Sequence, residues 1–174
     1  ELLPIGTSGQ MLNDIQVLGL SFYYYKPVDI LEGRQLLIKA TNALMEGVNE
    51  EKRIYPYLGR YPFLPENIEI RIILRSADGR DVNPGALWVV VATNGMLYYK
   101  VHDLQNHGLT TIYKETYEEA VQRLADPSLP LVPFEPDPVQ SQEELSRLRK
   151  GISFVSDDGA IWHLGENGSW IREP

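Results

Sequence analysis

The chain has 174 residues, 43% hydrophobic and 23% charged, which is enough to bury one sizeable core without a covalent staple. It contains no cysteine, and that excludes disulfides, thiol nucleophiles, cysteine-ligated zinc and iron–sulfur clusters. A formal net charge of −8 argues against a nucleic-acid partner, and no apolar run reaches the roughly 18 residues of a transmembrane helix.

The chain opens Glu1-Leu2-Leu3-Pro4, without a methionine, from which an exported bacterial protein (periplasmic, envelope-associated or secreted) is expected. Residues 1–14, with Gly6, Ser8 and Gly9, read as a loop or arm. From Ile15 to Tyr25 the pattern alternates: Leu18, Leu20, Phe22 and Tyr24 share one face of a strand, and Gly19, Ser21, Tyr23 and Tyr25 the other. Asp29 stands three residues before Glu32, an N-cap and capping-box arrangement that marks a helix start. Leu37, Ile38, Thr41, Leu44, Met45 and Val48 then follow at the three-four spacing of a buried stripe, to about Glu51. Gly33 and Gly47 weaken this helix by about 1 kcal/mol each. Arg34 lies on the apolar stripe; it either snorkels at the helix edge, the favoured reading, or is held by a buried carboxylate.

Residues 52–67 carry Pro56, Pro62 and Pro65 among Tyr55, Tyr57, Tyr61 and Phe63, a loop packed on the core in which proline forbids helix or central strand. Ile68, Ile70, Ile72 and Leu74 alternate with Glu69, Arg71, Ile73 and Arg75, which reads as a strand with one buried face. Ala86–Thr93 is apolar throughout and reads as a central strand. Asn94-Gly95 is a two-residue hairpin signal leading into a return strand, Met96–His102. Leu109–Tyr113 is a further strand, and Thr116 with Glu119 forms a capping box for a short helix to about Ala125. Pro127, Pro130, Pro133 and Pro136 recur every three residues, as in an extended strap. Ser141 and Glu144 open a helix over 142–150, and strand-like segments at 152–155, 160–164 and 169–172 read as hairpins.

The predicted fold class is α+β: a long helix packed on a curved antiparallel sheet. Residues 1–125 form the domain. Residues 126–174, the Pro-rich strap, short helix and hairpins, form an appendage packed on it. Acidity is concentrated late, since residues 115–174 hold 12 Asp/Glu and 5 Lys/Arg. That balance keeps the chain soluble, or attracts a basic protein partner.

Chemistry-bearing motifs are few. There is no Gly-x-x-x-x-Gly-Lys-Ser/Thr, Gly-x-Gly-x-x-Gly, Gly-x-Ser-x-Gly or His-Glu-x-x-His, and no cofactor is expected. His102, Asp103 and His107 cluster at a strand end, where two imidazoles and a carboxylate are candidate metal ligands. Glu115, Glu118 and Glu119 are candidate acid–base carboxylates, although a helix N-terminus already favours acidic groups. Tyr23 and Tyr25 are the candidate binding residues, amphipathic rings on the strand face turned away from the core. The leading expectation is a non-catalytic binding or interaction protein. The alternative is a small hydrolase or metal-dependent enzyme using His102, Asp103, His107 or Glu115.

Two resemblances bear on this. Arg34, Asn49, Arg53-Ile54-Tyr55-Pro56-Tyr57-Leu58, Tyr61-Pro62-Phe63 and Asn67-Ile68 together resemble a segment of uncharacterised exported proteins of Gram-negative, often intracellular, bacteria. This implies a secreted or envelope location and no activity. The order of strand, long helix and four antiparallel strands resembles cystatin-like folds. The inhibitor signature Gln-x-Val-x-Gly is broken at Gln16-Val17-Leu18-Gly19, so protease inhibition is not implied.

Overall fold

A computed structural model describes residues 1–103, 108–126, 128–129, 153–155, 161–164 and 170–172. The fold is α+β, with a six-stranded sheet in the order β1-β2-β3-β4-β5-β6. Its strands are β1 (Leu2–Met11), β2 (Ile15–Tyr24), β3 (Ile68–Leu74), β4 (Leu87–Thr93), β5 (Met96–Asp103) and β6 (Gly108–Thr116). The long helix α1 (Ile30–Glu50) lies between β2 and β3 in the chain, and α2 (Tyr117–Ala125) follows β6.

A strand, a crossover helix and the next strand of one sheet leave two parallel strands. That is why β2 and β3 run parallel, with Leu18 opposite Ile68 and Tyr24 opposite Leu74, while every other neighbouring pair is antiparallel. The expected all-antiparallel sheet is therefore corrected at this one junction. A second correction concerns residues 1–14. They do not form a loop: Leu2–Met11 is an edge strand paired with β2, with register shifts at Pro4/Gly6 and Gln10/Met11. Its small residues read as loop, yet Gly6, Ser8 and Gly9 are accommodated because the strand is paired on one edge only. Gly19 has a specific purpose there. A Cβ at Gly19 would lie 2.2 Å from Ser8 Oγ and 2.9 Å from Glu69 Cβ, so only glycine lets Ser8 cross β2 to reach Glu69.

The helix start is as the sequence predicts: Asp29 Oδ1 accepts from the Glu32 N–H at 2.7 Å. Glu32 does not return the bond; its carboxylate takes Lys26 Nζ at 3.1 Å. The stripe Ile30, Leu37, Ile38, Thr41 and Val48 is buried, against Ile70, Ile72 and Leu74 of β3, Val90 and Ala92 of β4, and Leu97, Tyr99 and Val101 of β5. Gly33 faces this contact: a Cβ there would be 3.2 Å from Val90 Cγ1 and 3.6 Å from the Tyr99 ring, so the glycine lets α1 seat closely on β4 and β5. Gly47 has nothing within 4 Å and no such reason.

A side chain of α1, Asn49, holds the proline-rich connection that follows it at Phe63. Asn49 Nδ2 donates to the Phe63 carbonyl at 3.0 Å, and Asn49 Oδ1 accepts from the Phe63 N–H at 2.7 Å, placing Phe63 in the core. Contrary to expectation, the connection is partly helical, with 3₁₀ turns at Lys52–Tyr57 and Pro65–Asn67. Such short turns tolerate proline because only one i→i+3 bond is lost.

The strands β7 (Ser153–Val155), β8 (Ile161–Leu164) and β9 (Trp170–Arg172) form a separate antiparallel sheet in the order β7-β8-β9. Of the expected proline-rich strap only residues 126, 128 and 129 are described; the rest of it and the helix expected over 142–150 lie outside the described residues.

Candidate functional site

Both described helices pack on the same face of the large sheet, since α1 and α2 each contribute an arginine to one buried carboxylate there. The period of two then turns a defined set of side chains to the opposite face. Paired rows follow from the register: Ser21, Arg71, Val91, Tyr98 and Lys114, then Tyr23, Ile73, Val89, Lys100 and Thr111. A register shift between Leu87 and Val89 leaves Trp88 as an extra residue on β4 and turns its ring to this face, beside His102.

These residues assemble into a layered contact at one end of the sheet. The Arg75 guanidinium carbon lies 5.3 Å from the Tyr23 ring centroid and 5.8 Å from the Trp88 ring. It is thus held between two aromatic faces, and it also pairs with Asp81. Tyr25 continues the row, 6.0 Å from Tyr23, and is 42% exposed. His102 closes it, with its ring 5.9 Å from Trp88. At the other end of the same face, Glu69 accepts from Ser8 Oγ at 3.3 Å and from Thr93 Oγ1 at 3.1 Å. Between the two ends Arg71 is exposed and makes no ion pair with any described residue. Aromatic rings in contact with one another, next to an exposed guanidinium, can accept an apolar or aromatic group and a carboxylate together.

On the helix side the sequence prediction for Arg34 is corrected. It does not snorkel: Arg34 Nε donates to Glu115 Oε1 at 2.7 Å, and the side chains are 5% and 1% exposed. Arg123 Nη1 donates to Glu115 Oε2 at 2.7 Å, and Tyr99 Oη to Glu115 Oε1 at 2.6 Å. A buried charge is tolerable only when bonded in this way, which ties α1, β5, β6 and α2 to one carboxylate. Burial pushes the Tyr99 hydroxyl well above its ordinary value, and the Glu115 charge adds to this. Tyr113 is pushed up to about 12 by the same causes in the same order. The Arg34 guanidinium is raised despite its desolvation, because Glu115 bonds it.

The structure separates two residues of the enzymatic alternative, Glu115 and His102. Glu115 faces the helices, bonded to Tyr99, whereas His102 has the opposite parity on β5 and faces away. Asp103 ends β5 opposite Gly108; its side chain, and His107, lie outside the described residues. Among the described residues no three His, Asp or Glu side chains gather as metal ligands. Glu119 is used as a cap, accepting from the Thr116 N–H at 2.8 Å while Thr116 Oγ1 accepts from the Glu119 N–H. Among the described helices none is long and apolar enough to cross a membrane.

Sequence reasoning named Tyr23 and Tyr25 and passed over Arg71, Arg75 and Trp88 as site residues. The alternation of Ile68–Arg75 already placed both arginines on one strand face. The bulge that turns Trp88 to the same side has no sequence signal. Comparison with protein-family models, curated proteins and solved structures gives no significant match.

Proposed function

We propose that the protein is a non-catalytic binding protein that engages a partner protein through the sheet face opposite its helices. The observation that supports this most is the row Tyr25–Tyr23–Arg75–Trp88, three aromatic rings and a guanidinium in mutual contact beside the exposed Arg71. Rigid aromatics and arginine are the side chains that carry most binding energy at protein interfaces. The chemistry favours a partner segment with a carboxylate for Arg71 and an apolar or aromatic group for Tyr25. The basic partner predicted from the acidic C-terminal third would act elsewhere, on residues mostly outside the described set. Export from a bacterium remains part of this reading, supported by the resemblance of the Arg34–Ile68 segment.

The test is a pull-down from extract of the source organism and from host-cell extract, using the native chain, the Tyr23→Ala/Tyr25→Ala variant and Arg71→Glu. A partner retained by the native chain and lost by both variants, each still folded by circular dichroism, is the expected result. Equal retention by all three, or no retained partner, would overturn the assignment of this face.

A further inference from the structure

The cluster around Glu115 is unbalanced in charge and in hydrogen bonding. Arg34 and Arg123 bring two positive charges and Glu115 one negative charge, and each of the three residues is at most 5% exposed. Both carboxylate oxygens are already engaged: Oε1 accepts from Arg34 and Tyr99, and Oε2 from Arg123. Three buried polar atoms of the cluster have no hydrogen-bond partner among the described residues: Arg34 Nη2, Arg123 Nε and Tyr113 Oη. All three are donors. Nitrogens of a guanidinium cannot accept, and a phenol donates until it ionises. With its ionisation pushed up to about 12, Tyr113 keeps its proton at neutral pH. What the cluster lacks is therefore an acceptor carrying one negative charge.

We propose that Arg34, Arg123 and Tyr113 form a binding site for one small monovalent anion of halide size. The residual charge of the cluster sets the valence, since a dianion would reverse the imbalance rather than cancel it. Burial sets the size, because Arg34, Tyr113 and Arg123 are each at most 5% exposed and leave an oxyanion of several heavy atoms no solvent-facing side. An anion there satisfies the two arginine N–H groups and the phenol at once, and neutralises the buried excess charge. Such a ligand binds only the folded chain, so it raises stability in proportion to its saturation.

The test uses the whole chain. Thermal unfolding is followed in sodium chloride, sodium bromide and sodium gluconate at equal ionic strength, and crystals soaked in bromide are examined at the bromine absorption edge. The expected result is a saturable rise in melting temperature with chloride and bromide but not gluconate, and an anomalous peak within reach of Arg34 Nη2, Arg123 Nε and Tyr113 Oη. Tyr113→Phe, which keeps the ring and the fold, should weaken the apparent halide affinity about tenfold or more, the effect of losing one hydrogen bond to an ion. Superimposable halide and gluconate curves would overturn the proposal. So would bromide peaks confined to other places, or an unchanged halide response in Tyr113→Phe.

Discussion

Replacing Glu115 by glutamine tests whether one buried carboxylate fastens both helices to the sheet. The substitution keeps the shape and removes the charge, leaving Arg34 and Arg123 buried with no carboxylate between them. Three bonds of 2.6–2.7 Å are weakened together. Breaking a buried ion pair by neutralising one partner costs about 3–5 kcal/mol, because the remaining charge stays desolvated. For a chain of this length each kcal/mol lowers the melting temperature by roughly 2–4 °C, so a fall of about 6–20 °C is expected. Urea denaturation followed by tryptophan fluorescence gives the free energy, and calorimetry gives the melting temperature. The exposed pair Lys26–Glu32 is the control: Glu32→Gln should cost less than about 1 kcal/mol, since solvent screens that pair. The triple variant Arg34→Met/Glu115→Leu/Arg123→Met should recover most of the loss, because apolar side chains of similar volume replace a buried ionic cluster at little cost. A Glu115→Gln loss no larger than that of Glu32→Gln would refute the reasoning.

Other consequences separate local effects from the cluster. Gly47→Ala should stabilise the chain by about 0.5–1 kcal/mol, since a Cβ there meets nothing, whereas Gly33→Ala should show no such gain because its Cβ meets Val90 and Tyr99; paired urea melts decide this. Asp29→Ala removes the α1 cap and should cost about 0.5–2 kcal/mol by the same assay. Tyr113 has its folded-state pKa raised to about 12 from 10, so its contribution is complete below pH 10, where the hydroxyl is neutral in both states. As pH rises from 10 to 12 the unfolded chain ionises first and this contribution is lost, on the order of 1–3 kcal/mol. Stability measured across that window should fall less steeply in Tyr113→Phe than in the native chain.

Much of the fold was legible because its signals are local. The Asp29 cap, the Leu37–Val48 stripe, the Ile68–Arg75 alternation, the Asn94-Gly95 hairpin and the Thr116/Glu119 box each operate within a few residues, and each is present. What was missed depends on distant partners. Arg34 reads as a snorkelling side chain from its neighbours alone, and the carboxylate that holds it lies 81 residues away. Residues 2–11 lack a strand pattern because an edge strand exposed along its length needs no alternation; its hydrogen bonds with β2 define it. The parallel β2–β3 junction followed from the crossover helix, a constraint of topology rather than of residue type. At the candidate site, Tyr23 and Tyr25 stood out by aromatic content. Arg75 and Trp88 gained meaning only when strand register and a bulge brought them against Tyr23.

The central claim is that the face opposite the helices is where a partner binds. Site-specific photocrosslinking measures this directly: a benzophenone amino acid is placed in turn at positions 25 and 71 on that face, and at position 39 on the exposed side of α1. After irradiation in the extract that yields a partner, covalent adducts of one common mass should form from positions 25 and 71 and be absent from position 39. Adducts from position 39 alone, or equally from all three, would contradict it.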